Sequence, residues 1–317
     1  MLKPLNINKY RIYDIFYSHD HLYIITPQIS GLNLSINKIK PHVFHCPHRH
    51  FTLYDFTVED LEFYNLSING SIIEIKPSRY PDFQGKNILT ALVKNEDSYI
   101  CQWIDYNLNL GFDHIVIYDN AGIDDKDSWC SRETESDLPN LLNNYISSGV
   151  VTLIQWPFPK RLDGLISGQV TQQNHALYSF KNCNYIGFLD IDEYLNPKFD
   201  NLSCLLSSLS HSINSCNYKI RHRGFYNPYN LDETGNNFLK IFTCEDVLPE
   251  SRSKLLIKPC ATTSVAIHDV TAGIRPVYLN KNTCYFNHYF FLNKSNRGRE
   301  NGSYFIDKSI TRHIINV

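Results

Sequence analysis

The stretch YIGFLDIDEYL, residues 185–195, runs an apolar strand straight into three acids, Asp190, Asp192 and Glu193. Carboxylates this close repel one another, and partial burial disfavours their charged forms unless something positive offsets the cost. An acid at a strand end or a helix start is common in its own right. The surroundings therefore decide what the cluster is for.

Upstream, NILTALV (87–93) is a continuous apolar run of the kind buried in a parallel sheet. SYICQWIDYNLNL then places Ile100, Trp103, Ile104 and Leu108 at helical spacing, with Asp97 or Ser98 as cap and Gly111 as stop. HIVIYD reads as the second strand, LPNLLNNYISSG as a helix and VVTLIQW as the third strand. GLISGQVTQQNHALYSF is a further helix before the 185–192 strand. The alternation predicts a right-handed, doubly wound parallel sheet, whose ligands bind outside the carboxyl ends of its strands. Lys94, Asn95 and Glu96 follow the first strand, Asp119 ends the second, and Asp190 and Asp192 end the fourth. Several strands thus deliver polar groups to one rim.

Residues 1–85 have a different texture: RIYDIFYS, HLYIITP, HVFHC, FTLYDF and SIIEIKP are short strands separated by turn signals such as Asn69-Gly70. SRYPDFQGK (78–86), with Pro81 and Gly85, reads as a linker. The chain accordingly divides into a β-rich accessory module, 1–85, and an α/β catalytic domain, 86–317. The aromatics of the module (Tyr10, Tyr13, Phe16, Tyr17, Tyr23, Phe51, Tyr54, Phe56) exceed what it can hide alone. Some of them should be exposed, packed on the second domain, or buried against a second copy in a homo-oligomer, with packing or self-association favoured over sugar binding.

Bulk properties narrow the function. A net charge of −2 with no Lys/Arg-rich run gives no electrostatic basis for binding nucleic acid. Nine scattered cysteines without a CxxC pair fit reduced thiols rather than a disulfide framework. The N-terminal stretch has no signal-peptide-like run, and no segment reaches about 18 apolar residues. The expectation is a soluble, cytoplasmic protein, at most peripheral to a membrane.

An Asp-x-Asp at a strand end can hold a hard divalent cation, Mn²⁺ or Mg²⁺, which relieves the repulsion and neutralises a leaving phosphate. In haloacid-dehalogenase-like phosphatases the motif normally ends the first strand. In nucleotide-sugar glycosyltransferases of the GT-A type it ends a middle strand, as here. LVKNEDSYICQWIDYNLNLGFDHIVIYDNAGIDD, GQVTQQNHALYSF, YIGFLDIDEYLNP, SKLLIKP and YFNHYFFLNKSNRGR follow in an order that resembles glycosyltransferase family 92 and its family 2-like relatives, over about residues 92–300. The resemblance implies a GT-A (Rossmann-like, nucleotide-sugar-binding) fold, a divalent metal and a nucleotide-sugar donor, often UDP-galactose.

By that resemblance Asp119 accepts a hydrogen bond from the uracil ring, with Lys94, Asn95 and Glu96 beside the base and ribose. Asp190 and Asp192 are the metal and diphosphate pair, and His288 the later metal ligand, with His268 of VAIHDV as its rival. Lys294 and Arg297 fit a basic loop over the diphosphate. Asn174 and His175 read as packing residues, and Lys254 matches a family position without a derivable role. Inverting transfer also needs a general base; Asp246 and Glu245 rank ahead of Glu193. Cys46, His48 and His50 alternate as zinc ligands on a strand face would, but Pro47 interrupts the strand. The expected activity is transfer of a hexose, galactose favoured, from a UDP-sugar to a glycan or glycoconjugate. A sugar-phosphate nucleotidyltransferase is the rival enzyme class, although VKNEDS lacks the Gly-rich loop such enzymes carry. A non-catalytic glycan-binding protein is the other alternative.

Overall fold

In the computed structural model, residues 5–7, 10–28, 32–122, 136–161, 165, 167–210, 216–226, 239, 243–245, 250–290, 292 and 304–314 are described. The two apolar runs form adjacent parallel strands, Asn87–Val93 and His114–Asp119, with Val93 opposite Asp119. Val151–Gln155 and Tyr185–Phe188 pair in parallel on either side of them. The expected wholly parallel sheet ends there. Lys254–Ile257 runs antiparallel to Tyr185–Phe188, and Tyr218–Ile220 and Val277–Tyr278 continue the sheet to seven strands. The fold is therefore α/β around a mixed sheet. KLLI was no strand of an αβ alternation because its partners are remote in sequence, so local pattern does not show its direction.

Helix Ile100–Leu110 buries Ile100, Trp103, Ile104 and Leu110 as its spacing demands, and Gly111 stops it at φ 107°, a left-handed conformation. Neither Asp97 nor Ser98 caps it; Tyr99 holds the N-cap position without a side-chain bond. The helix expected from LPNLLNNYISSG is two short ones, Leu138–Leu141 and Asn143–Ser147, broken at Leu142.

Helix Ser167–Ser179 has no apolar stripe, yet every residue in it is buried. It lies between the central sheet and a five-stranded sheet of the N-terminal segment, so both of its faces need partners. Asn174 donates to the Val170 and Val265 carbonyls and accepts from the Val265 amide. Gln172 donates to Thr90 Oγ1 at 3.2 Å, and the Tyr178 hydroxyl donates to the Thr263 carbonyl. Asn174 and His175 are packing residues, away from the rim. Gly168 is required at the helix start, because a Cβ there would sit 2.2 Å from the Pro159 carbonyl oxygen.

The five N-terminal strands order as Ser78–Arg79, Asp14–Ser18, His21–Thr26, Thr52–Thr57 and His42–His45. One face of this sheet closes over Leu34–Ile36, Tyr64–Ile68 and Ser71–Ile75 through Ile15, Leu22, Ile24, Tyr54, Phe56 and Leu66. The other face places Tyr13, Phe16, Tyr23 and Phe51 in one apolar cluster with Trp156, Phe158, Tyr178 and Phe188. The surplus aromatics are thus absorbed across the 85/86 boundary. Nor does 78–86 behave as a linker: Ser78–Arg79 adds a strand parallel to Asp14–Ser18, and the Gly85 amide donates to the Asn182 carbonyl. Pro81 and Gly85 shape a turn that Phe83 anchors against His114 and Phe180.

Asp14, 3% exposed, fastens this interface. It accepts from Ser78 Oγ (2.9 Å), the Tyr80 hydroxyl (2.7 Å), and His175 Nε2 (3.0 Å), while His175 Nδ1 meets the Tyr118 hydroxyl at 2.8 Å. Replacing Asp14 by alanine strands several buried donors, and the expected loss is about 3 kcal/mol of unfolding free energy in a denaturant titration. A fragment of residues 86–317 uncovers the same apolar cluster and is expected to aggregate. A folded, monomeric fragment with unchanged donor binding is the result that refutes this account of the interface.

Candidate active site

The acidic stretch is tied down from three sides. Strand Tyr185–Phe188 ends with the Leu189 amide donating to Thr90 O, and the chain turns through Ile191 and Asp192 before resuming as strand Glu193–Pro197. Within the turn the Asp190 amide donates to Glu193 Oε2 (2.8 Å) and the Glu193 amide to the Asp190 carbonyl (3.1 Å). From the helix side, Trp103 Nε1 donates to the Glu193 carbonyl at 2.8 Å and the Tyr106 hydroxyl to the Leu195 carbonyl. From the far side, Tyr289 donates its amide to the Asp192 carbonyl at 2.9 Å.

The positive group that the sequence demanded is Lys254. Its ammonium, on a residue only 2% exposed, lies 2.6 Å from Asp190 Oδ2 and 3.0 Å from Glu193 Oε2. Burial disfavours its charge, but the two carboxylates outweigh that and raise its pKa above the ordinary lysine value. Desolvation also opposes the Asp190 charge; Lys254 overcomes it and holds that carboxyl below the usual range. Glu193, 1% exposed, is pushed up to about 7, because desolvation and its acidic neighbours exceed the pull of Lys254. Lys254 stood out in the sequence only as a match to a family position. Its role was hidden because its partners lie about sixty residues away, at a separation of 64 for Asp190.

Strand Cys284–Tyr289 pairs antiparallel with Glu193–Pro197, with Glu193 directly opposite His288. This register brings Asp192, Glu193 and His288 together, with one ligand atom from each within 4.8 Å of the others. His288 Nε2 is 3.3 Å from Asp192 Oδ2, and Nδ1 is 3.6 Å from Glu193 Oε1. Burial works against a protonated ring, but the two carboxylates prevail and raise its pKa. His288 Nδ1 is a buried nitrogen with no hydrogen-bond partner among the described residues. Two carboxylates and an imidazole with such an orphaned nitrogen fit Mn²⁺ or Mg²⁺. Of the expected ligands, Asp192 and His288 join this group, Glu193 joins them, and Asp190 is engaged by Lys254.

Two strands away on the same rim, Asp119 closes a cleft lined by Lys94, Asn95, Asp97, Ala121, Ser136 and Leu138. Its carboxylate accepts from the Ala121 amide (2.9 Å) and Ser136 Oγ (2.8 Å). Burial, with Asp97 adding to it, raises its pKa against these two bonds. Glu96, half-buried, adjoins the cleft in sequence without lining it.

The remaining expected residues fall elsewhere. His268 donates Nδ1–H to the Ser253 carbonyl at 2.7 Å, and burial lowers its pKa; it is not in the metal-competent group. Glu245 ends strand Thr243–Glu245, next to His222–Phe225 in the sheet that carries His288. Asp246, Lys294 and Arg297 lie outside the described residues. Cys46 contacts Ser264 Oγ at 3.8 Å, and Pro47–Arg49 is a helical turn rather than a strand, so the histidines around it share no strand face.

Comparison with known proteins identifies the family. The glycosyltransferase family 92 profile matches residues 90–314. A glycosyltransferase family 92 protein of Ricinus communis is 28% identical over 209 residues, covering 63% of this chain and 34% of its own length. Family 92 proteins of Oryza sativa subsp. japonica and Arabidopsis thaliana are 24% and 25% identical over 206 and 214 residues, covering 32% and 34% of their lengths and 63% of this chain in each case. The chain thus spans about a third of the length of these relatives.

Removing Lys254 is the sharpest test of the electrostatics. In chelator, Lys254→Met is expected to cost about 3–5 kcal/mol of stability at neutral pH, as a buried pair losing one partner does. Without the cation the folded carboxyls titrate above their unfolded values near pH 4. The deficit is then small in acid, where both states are protonated, and grows as pH rises through the folded pKa values. Denaturant titrations from pH 4 to 8 measure it; a pH-independent deficit contradicts the assignment.

Proposed function

The chain belongs to glycosyltransferase family 92, and on that premise we propose that it transfers a hexose, galactose favoured, from a UDP-sugar to a hydroxyl of a glycan or glycoconjugate. The reading extends to a GT-A fold and to Mn²⁺ or Mg²⁺ as cofactor. The observation that carries it is the shared rim. A small cleft at Asp119 ends one strand of the central sheet, and the turn that carries Asp192 leaves a parallel strand two places away in it, meeting Glu193 and His288 of the adjoining five-stranded sheet. That separation of duties is what a nucleoside diphosphate needs.

Asp119 already accepts two bonds, and a carboxylate has capacity for further donors, such as the uracil imide N–H. Lys94 and Asn95 line the same cleft, which supports a place for the ribose beside them. Asp192, Glu193 and His288 would hold the metal, which supplies positive charge against the diphosphate as it leaves. Lys254 keeps Asp190 charged and fixes Glu193, so the acids are set before substrate arrives. In the transfer, the acceptor oxygen forms a bond to the anomeric carbon, the bond from that carbon to the diphosphate breaks, and the acceptor proton passes to a carboxylate. UDP leaves with the bonding electrons. Buried Glu193, bound through Oε2 to Asp190 and Lys254, is suited to the metal rather than to an acceptor. Glu245 and Asp246 are the proposed bases; Glu245 ends a strand of the sheet that carries His288.

Screening nucleotide sugars for Mn²⁺-dependent turnover tests the whole reading, with UDP-galactose expected to be used. Asp192→Ala is expected to abolish transfer and the metal dependence of UDP binding by calorimetry, with the melting curve intact. Full activity in that variant or in excess chelator removes the metal assignment. Asp119→Ala is expected to raise the donor KM, by roughly 1.5–3 kcal/mol of binding for a charge-assisted hydrogen bond. An unchanged preference for UDP over other nucleotides means that another group reads the base.

A further inference from the structure

The sheet that carries His288 has a second face. On one side His222 and His288 approach each other, with ring centroids 5.7 Å apart. Alternation along the strands turns Arg223 and Tyr285 to the other side, where the Arg223 guanidinium lies 4.5 Å from the Tyr285 ring centroid. There a cavity of about 740 Å³ is lined by Lys198, Arg221, Arg223 and Lys281, together with Tyr278 and Tyr285. No acid lines it. This volume falls within the roughly 300–1,000 Å³ typical of small-molecule sites.

The cations are placed, not merely exposed. Arg221 stacks 4.4 Å from the Tyr278 ring centroid and donates to the Leu279 carbonyl at 2.9 Å. Lys198 shares the Tyr285 ring at 5.1 Å, and the Tyr285 hydroxyl donates to Asp307 at 2.7 Å. Glu250 pairs with Arg221 and Asp307 with Arg223, each at 2.5 Å. Neither Lys198 nor Lys281 has an acid within salt-bridge distance among the described residues. Burial, Arg312 and Arg223 all press the Lys198 ammonium toward its neutral form, against a weaker pull from Asp307. A solvated surface scatters its cations; this cavity gathers them around two rigid aromatic rings.

We propose that this cavity is a binding site for a phosphorylated ligand, separate from the donor site, in which the two lysines take the phosphate and the ring-held Arg221 and Arg223 add positive charge beside it. The guanidinium groups are fixed by their rings and acids, and the lysine ammoniums offer charged donors to phosphate oxygens. The space left over accommodates a larger body attached to the phosphate, either a soluble phosphorylated saccharide or a lipid headgroup.

Calorimetric titration with inorganic pyrophosphate, in chelator so that no metal assists the donor site, tests the proposal. Wild-type protein is expected to bind one equivalent, and the Lys198→Ala/Lys281→Ala double variant to bind at least about tenfold more weakly. Both lysines are exposed, so the double variant is expected to keep the wild-type melting curve; Lys281→Glu gives an independent loss. Asp192→Ala is expected to leave pyrophosphate binding unchanged. Absence of binding by wild type, equal binding by the double variant, or loss in Asp192→Ala each overturns the proposal. Sedimentation with phosphatidylcholine vesicles, with and without phosphatidic acid, distinguishes the sources. Retention on the acidic vesicles that the double variant loses supports the site with a headgroup as its occupant. Pyrophosphate binding that the double variant weakens, without such retention, supports it with a soluble saccharide phosphate.

Discussion

The candidate site depends on one buried ammonium. Lys254 stands among acids that could not otherwise share so small a volume, and it can do so only because Lys254–Ile257 pairs antiparallel with Tyr185–Phe188. A parallel strand in that place would present the other end of the strand to the rim. The reversal of direction is thus tied to the chemistry: it puts the first residue of this strand, a cation, at the rim where the parallel strands end. With that charge in place, Asp190 is free of any need for a metal, and Asp192, Glu193 and His288 form a set of their own. Attraction inside a protein is worth keeping only when both partners are satisfied. Here the satisfaction comes from a backbone amide, a lysine and the strand opposite.

A second constraint follows from strand alternation. The sheet containing Glu193–Pro197, Cys284–Tyr289 and His222–Phe225 carries an acidic and imidazole face toward the central rim and an aromatic and basic face away from it. A shift of register by one residue would exchange the two. Glu193 opposite His288 and Asn196 opposite Tyr285 therefore fix both faces at once.

Much of the first half of this architecture was legible. NILTALV and HIVIYD are apolar on both faces because both faces are covered, and Gly111 marks a helix end because only glycine takes that φ cheaply. Asp119 and Asp192 stood out as polar residues at the ends of apolar strands, and His288 through the family resemblance. What escaped was set by distant partners. Helix Ser167–Ser179 is polar yet wholly buried, since Thr90, Tyr118, Thr263 and Val265 meet its side chains. The stretch 78–86 carries the turn residues of a linker, but Tyr80 and Phe83 bind it to both halves. Lys254 and Glu193 needed the register of two strand pairs that no local pattern encodes.

The Asp14–His175 contact spans 161 residues of sequence. On the ribosome, then, the N-terminal sheet emerges long before the helix that covers it. At roughly 5–20 residues per second the interval is on the order of 8–30 s, far longer than a hairpin needs to form. Throughout it Phe16, Tyr23 and Phe51 have no apolar cover on that face, and Asp14 lacks its histidine. The nascent chain is a half-built sandwich with one oily side until residue 180 has cleared the exit tunnel.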